Sequence, residues 1–208
     1  MIYIIARFIC SFICHIFCGL KIIGRKNIPR KGGCIIASNH VSYLDPPLIG
    51  ASVDRPTYFM GKSELFKSKL SAWFFRGFHT FPVKRDDADH AAISKAVRFL
   101  KEGNALVIFP EGGRNIDGTK EIQLGVGFLA HLANVPVVPA LIIGSDIALP
   151  HGAKFIKIHK VEVYFGAPLY PQEFASIHLK GKELYKAVTQ RVMDKISELK
   201  NKNEDSNG

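Results

Sequence analysis

The sequence predicts an α/β fold: one domain with a mainly parallel central sheet flanked by helices, preceded by an apolar N-terminal helix. Three observations predict it. Short β-branched or aromatic runs alternate with helical stretches, the order expected of parallel strands whose crossovers cover both sheet faces. A length of 208 residues suits one such domain and is too short for two large ones. The content of 47% apolar and 22% charged residues supplies a full core and excludes a disordered chain. The net charge of +10 favours an anionic partner without choosing among phosphate ligands, lipid headgroups, nucleic acid and acidic proteins.

Residues 1–20 are almost wholly apolar, long enough as a helix to cover roughly 30 Å. Arg7, Ser11 and His15 recur at every fourth position and form a narrow polar stripe, while Lys21, Arg25, Lys26, Arg30 and Lys31 precede the first acid, Asp45. Residues 1–24 therefore read as a membrane-associated segment lying in, or dipping into, the cytoplasmic leaflet, its basic residues at anionic headgroups. A complete span and a buried core helix are the competing readings. A cleaved signal peptide fits less well, because no positive region opens the chain and no small-x-small site closes the run. Cys10, Cys14 and Cys18 share one helix face and Cys34 lies apart, a pattern that staples nothing and fits a reducing compartment. His15 lies among these cysteines, but no C-x2-C pair accompanies it and no metal site is expected.

Residues 25–200 form the main domain. Within it, 34–37, 57–60, 80–83, 105–109, 137–143 and 161–165 read as strands, each bounded by Gly, Pro, Asn or Asp. Helices are expected over 63–76, over 89–101 with Gly103 to stop it, and over 125–133. Leu184, Val188, Val192, Ile196 and Leu199 give 180–199 the period of an amphipathic helix packed on the domain. Residues 201–208 lack apolar anchors and are expected to be a disordered, frayed tail.

A parallel sheet places its ligand site beyond the carboxyl ends of its strands, and the chemically suggestive residues follow strands. After the first comes NHVSYLDPP at 39–47. Five helical steps would turn His40 and Asp45 to different sides, so their contact requires an irregular turn, which Pro46 and Pro47 supply. Asp45 would then hold one imidazole nitrogen and free the other to act as a general base. Equally open is a plain helix start, with Asp45 as N-cap and His40 incidental. FPEGGR at 109–114 offers adjacent glycines for anion approach and the bidentate donor Arg114, a phosphate cradle in which Glu111 is out of place unless it orients Arg114 or meets a hydroxyl. Its competing reading is a glycine-rich turn with a surface ion pair. GFHTFPVKR at 77–85 ends in two cations on alternate faces, of which Arg85 is the one assigned to the site. VPVVPA at 135–140 suits a strand start or sheet edge and forms either the wall of a lipid groove or plain core.

Other signals fail. Gly61-Lys62-Ser63 lacks the earlier glycine of a P-loop, since Pro56 stands there. The G-x-G-x-x-A run from Gly125 has no convincing strand before it and is better explained by helix packing. There is no G-x-S-x-G elbow, and Ser42 sits too close to His40 in sequence to be favoured as a nucleophile.

Taken in order, NHVSYLD at 39–45, FPVKR at 81–85, FPEGGR at 109–114 and VPVVPA at 135–140 resemble the four motifs of the glycerolipid acyltransferases, with the nearest likeness to 1-acyl-sn-glycerol-3-phosphate acyltransferases. The resemblance covers about residues 22–169. It implies that His40 is the general base, Asp45 its orienting partner, and that Arg85, Glu111, Gly112 and Arg114 hold the phosphate of the acyl acceptor. It also implies acyl transfer from an acyl-CoA or acyl-ACP co-substrate to a lysophospholipid hydroxyl, with no cofactor and no metal, on membrane lipids at the cytoplasmic face. Many members have Thr where this chain has Gly113, and a Lys-containing phrase where it has 122–125, so the acceptor headgroup stays open. A non-catalytic peripheral lipid-binding protein would need the apolar basic N-terminus but not the His40 and Asp45 pair. A nucleic-acid binder would interleave its cations with exposed aromatics in a recognisable module, and none is present.

Overall fold

In the computed structural model, which describes residues 2–84, 89–115, 118–175 and 178–207, the chain runs through α1 (Ile2–Cys18), β1 (Lys21–Ile23), β2 (Cys34–Ser38), α2 (Asp45–Ser52), β3 (Thr57–Lys62), α3 (Lys69–Gly77), β4 (Thr80–Val83) and α4 (His90–Lys101). It continues through β5 (Ala105–Ile108), α5 (Gly125–Ala133), β6 (Val137–Ile143), α6 (Ser145–Ala148), β7 (Glu162–Phe165), α7 (Pro171–Ala175) and α8 (Gly181–Asn207). The strands form one sheet in the order β1-β7-β6-β2-β5-β3-β4. Five run parallel; β7 pairs antiparallel with β6, and β1 pairs parallel with β7, so the last two strands at that edge point the other way. β1 escapes the sequence pattern because three residues in a basic stretch carry little periodicity, and β7 is what makes them a strand.

Alternation along the central strands feeds two cores. Ile36, Val107 and Val138 face the side covered by α1 and α2, while Ile35, Leu106 and Val137 face the side covered by α4, α5 and α8. Gly127 belongs to the second core: its N–H donates to Thr189 Oγ1 at 3.1 Å, and a Cβ there would lie 2.1 Å from the Tyr185 carbonyl oxygen. The glycine pattern at 125–130 thus serves close packing of α5 on α8.

Four expectations need correction. The helix expected over 63–76 divides into a 3-10 turn at Ser63–Phe66 and α3, because Ser68 Oγ accepts the Ser71 N–H at 3.0 Å and starts a new helix. The Val-Pro run is central, not an edge: Val137, Val138 and Ala140 are fully buried between β2 and β7, and Pro139 precedes the point where the β6–β7 ladder begins at Ala140. It is core rather than groove wall. The tail expected to fray from residue 201 continues α8 to Asn207, since no Gly or Pro interrupts it and Asn203 engages the Tyr164 hydroxyl. The polar stripe of α1 is also divided, because Arg7 turns inward to the Val53 carbonyl while Ser11 and His15 bond to each other along the helix.

Cys14 and Cys18 bury the inner face of α1, and Phe8, Ile9, Phe12, Ile16 and Phe17 stand exposed on the outer one. Among the described residues no helix is long and apolar enough to cross a membrane.

Candidate active site

β2 and β5 are neighbours, with Ala37 opposite Ile108, so the segments leaving their carboxyl ends emerge side by side. This register brings His40 and Glu111, 71 residues apart in sequence, into contact. Asn39 anchors the first segment to β6: its Nδ2 donates to the Ile142 carbonyl at 3.0 Å, and its Oδ1 accepts the Ile142 N–H at 2.8 Å.

Beyond Asn39 the chain wraps round one carboxylate. Asp45 Oδ2 accepts the Val41 N–H at 2.7 Å, the Ser42 N–H at 2.8 Å and His40 Nδ1–H at 2.8 Å. Asp45 is fully buried and is the first residue of α2, with Leu44 at the N-cap and Pro46 and Pro47 in the first turn, where a missing N–H costs nothing. Its carboxylate reaches back into the turn instead of forward over the helix, so the plain N-cap reading does not hold. A carboxylate only accepts, so in the neutral ring Nδ1 carries the imidazole proton and Nε2 keeps its lone pair. The His40 side chain is 13% exposed, enough to leave one edge accessible. Ser42 is buried and its Oγ donates to the Leu149 carbonyl at 2.9 Å, which removes it as a nucleophile.

The second segment holds His40 from the other side. The Phe109 ring stacks on the imidazole with centroids 4.2 Å apart and planes 24° from parallel. Glu111 Oε2 accepts the His40 backbone N–H at 2.8 Å, and the Asn115 N–H donates to the His40 carbonyl at 2.7 Å. Both polar groups of that residue's main chain are thereby fixed. Gly112 has φ 65°, where a side chain is strained, and its N–H closes the turn on the Phe109 carbonyl at 2.9 Å. Arg114 lays its guanidinium 3.5 Å over the centre of the Tyr43 ring, itself 66% exposed.

Two of the four expected phosphate ligands have hydrogen-bond partners within the chain. The Glu111 carboxylate holds the His40 main chain, and the Gly112 N–H is spent inside the turn. Arg114 is half-buried, with the face of its guanidinium covered by the Tyr43 ring. Arg85 falls outside the described residues; β4, the strand before it, lies three strands from β2, about 14 Å in strand spacings. The roles of Asn39, Tyr43, Phe109 and Asn115 were missed because each acts through a neighbour's backbone or ring, which residue type does not reveal.

Burial pushes the Glu111 carboxyl above the usual range, opposed by the His40 N–H it accepts. Such a group is protonated more readily folded than unfolded, so its stabilising contribution is full below the ordinary Glu range and declines as pH rises through the raised value. Glu111→Gln keeps an acceptor for His40 and removes the charge. Thermal unfolding measured against pH is expected to shift in favour of the Gln variant as pH rises from 4 to 7; a gap that moves the other way contradicts the assignment.

The chain is similar to known acyltransferases over most of its length. Residues 19–143 match the family model described as Acyltransferase. A 1-acyl-sn-glycerol-3-phosphate acyltransferase of Bacillus subtilis is 31% identical over 185 residues, 88% of this chain and 89% of the relative. A protein of the same name from Streptococcus pneumoniae is 26% identical over 168 residues, 79% of this chain and 60% of its own. The crystal structure of the 1-acyl-sn-glycerophosphate (LPA) acyltransferase from Thermotoga maritima superposes with a TM-score of 0.72 at 27% identity, covering 93% of this chain and 79% of that one. A family match spanning more than half the sequence, with a relative 31% identical over 88% of the chain, places this chain in the Acyltransferase family.

Proposed function

We propose that this protein is a 1-acyl-sn-glycerol-3-phosphate acyltransferase, moving a fatty acyl group from an acyl thioester to the free hydroxyl of lysophosphatidate to give phosphatidate. The observation that carries the reading is the 2.8 Å contact between His40 Nδ1 and buried Asp45, which leaves Nε2 as a base, while the nearby Ser42 hydroxyl is engaged by the Leu149 carbonyl. Nε2 takes the hydroxyl proton as the oxygen attacks the thioester carbonyl. The tetrahedral intermediate collapses with loss of the thiolate, which takes the proton back from the imidazolium and leaves as the thiol of coenzyme A or acyl carrier protein. No acyl-enzyme forms and the reaction needs no cofactor. The positive charge of the chain suits either donor, one carrying phosphates and the other an acidic protein surface.

Arg114 receives the acceptor's phosphate, assisted by Arg85. The acceptor lies in a bilayer, and α1, with its exposed apolar face and the following basic residues, holds the domain at the cytoplasmic leaflet. The test is incubation in lipid bilayers with a panel of lysolipids and both thioesters, with products identified by mass. Phosphatidate from lysophosphatidate is the expected product. Acylation of a different headgroup alone would overturn the acceptor assignment, and no thiol release with any acceptor would overturn the enzyme reading.

The Tyr43 stack gives a finer prediction. A ring beneath the guanidinium occupies its face and leaves its N–H edges directed outward for phosphate. Tyr43→Leu is expected to raise KM for lysophosphatidate roughly 3- to 30-fold with little change in kcat, while Tyr43→Phe behaves as the parent. Equal losses in both variants would contradict a role for the ring.

A further inference from the structure

The sequence reads 63–76 as one more helix covering the sheet, yet the structure turns its apolar residues outward. Ala72 is the only buried residue of the nine in α3. Leu70 is 75% exposed, Trp73 61% and Phe74 50%, at positions i, i+3 and i+4 that share one helix face. Leu65 in the preceding turn is 40% exposed. Burial in water-free surroundings is what such a face seeks, and the domain's own core does not provide it.

The surrounding charge says which surroundings. Lys62, Lys67, Lys69 and Arg76 are all exposed around this ridge, and Glu64 is the only acid between residues 62 and 78. A short helix with Trp, Phe and Leu on one side and Lys and Arg around them has the composition of an element that lies in a bilayer interface, its rings among the upper acyl chains and its cations at anionic headgroups. A protein partner of this patch would have to match both an apolar ridge and a surrounding positive field; an anionic lipid surface does so without a specific fit. α3 also touches α1, whose outer face carries its own exposed apolar residues.

We infer that α3 is a second membrane anchor, which seats the Leu70, Trp73 and Phe74 face in an anionic phospholipid bilayer independently of the N-terminal helix. The inference deepens the proposed membrane-bound function by naming a second contact. Two anchors set an orientation where one sets only proximity, so the pair would fix how the carboxyl ends of β2 and β5 face the leaflet that holds the acceptor.

Trp73 is the only tryptophan of the chain, so the unmodified protein carries its own probe. The experiment follows its emission on titration with vesicles of phosphatidylcholine alone and of phosphatidylcholine with phosphatidylglycerol, with brominated lipids in a parallel series. The expected result is a blue shift and quenching by the brominated lipids, stronger on the anionic vesicles and weakened by salt. Vesicle binding by sedimentation with emission unchanged would overturn the inference, since α1 alone would then hold the protein. So would a concentration-dependent blue shift without lipid, which would assign the face to a second copy of the chain, and so would failure to bind vesicles. A triple variant, Leu70→Ser, Trp73→Ser and Phe74→Ser, changes only exposed side chains and is expected to lose about tenfold or more in vesicle affinity. Unchanged affinity contradicts the anchor. Thiol release measured in the same vesicles separates the two proposals: a Trp73 shift without turnover leaves the anchor standing and removes the function.

Discussion

Replacing His40 with Ala is expected to lower acyl transfer by about 10²–10⁴-fold while leaving lipid binding and unfolding temperature close to the parent. The stability half of this expectation follows from what holds the residue. Its backbone is fixed by Glu111 and by the Asn115 N–H, and neither contact involves the imidazole. What Ala removes is the stack on Phe109, the bond to Asp45 and the lone pair of Nε2. In the proposed reaction only the last touches substrate, so the loss should fall on kcat more than on KM. Steady-state thiol release, with lysolipid binding measured separately, checks this. Turnover near the parent level would show that the hydroxyl proton goes elsewhere.

Asp45→Asn is expected to cost nearly as much rate, for a different reason. Asn can present one acceptor oxygen, and Oδ2 of Asp45 serves three donors at once, two backbone N–H groups and the imidazole. An amide whose oxygen takes the place of Oδ2 can serve the same three donors but brings no negative charge to steady the imidazolium, while one that turns its NH2 to the ring favours the tautomer with the proton on Nε2, where a base is needed. We expect a fall of about 10²–10⁴-fold in kcat with a folded protein. Because Asp45 is fully buried, Asp45→Ala should in addition destabilise, since two backbone donors lose their acceptor. Comparing the two variants by activity and thermal unfolding separates tautomer control from loop support. Equal activity of the Asp45→Asn variant and the parent enzyme would remove Asp45 from the mechanism.

Much of this site was legible in the sequence because its spacing and order are local properties. The β-branched runs mark the strands within a residue or two at their starts, and a motif that follows a parallel strand must sit at the carboxyl edge. Pro46 and Pro47 signal the irregular turn that lets His40 and Asp45 meet. What the sequence could not show is adjacency across the sheet. β2 and β5 are neighbours only because the crossover through α2, β3, α3, β4 and α4 places two strands outside β5, and on that register rests the assignment of Glu111 to the His40 backbone. A carboxylate beside an expected phosphate site is out of place on residue type alone, and only the resemblance assigned Glu111 to the phosphate. The exposure of α3 was illegible for a related reason: periodicity identifies an amphipathic face without saying whether protein or lipid covers it.

The mechanism depends on one proton standing on Nδ1 of His40 and not on Nε2. Nitrogen-15 NMR of the labelled imidazole, assigned through the loss of its signals in His40→Ala, reads this directly. The expected result is a protonated Nδ1 and a bare, pyridine-type Nε2 in the parent protein. A proton on Nε2, or rapid exchange between the two nitrogens with Asp45 intact, would contradict it.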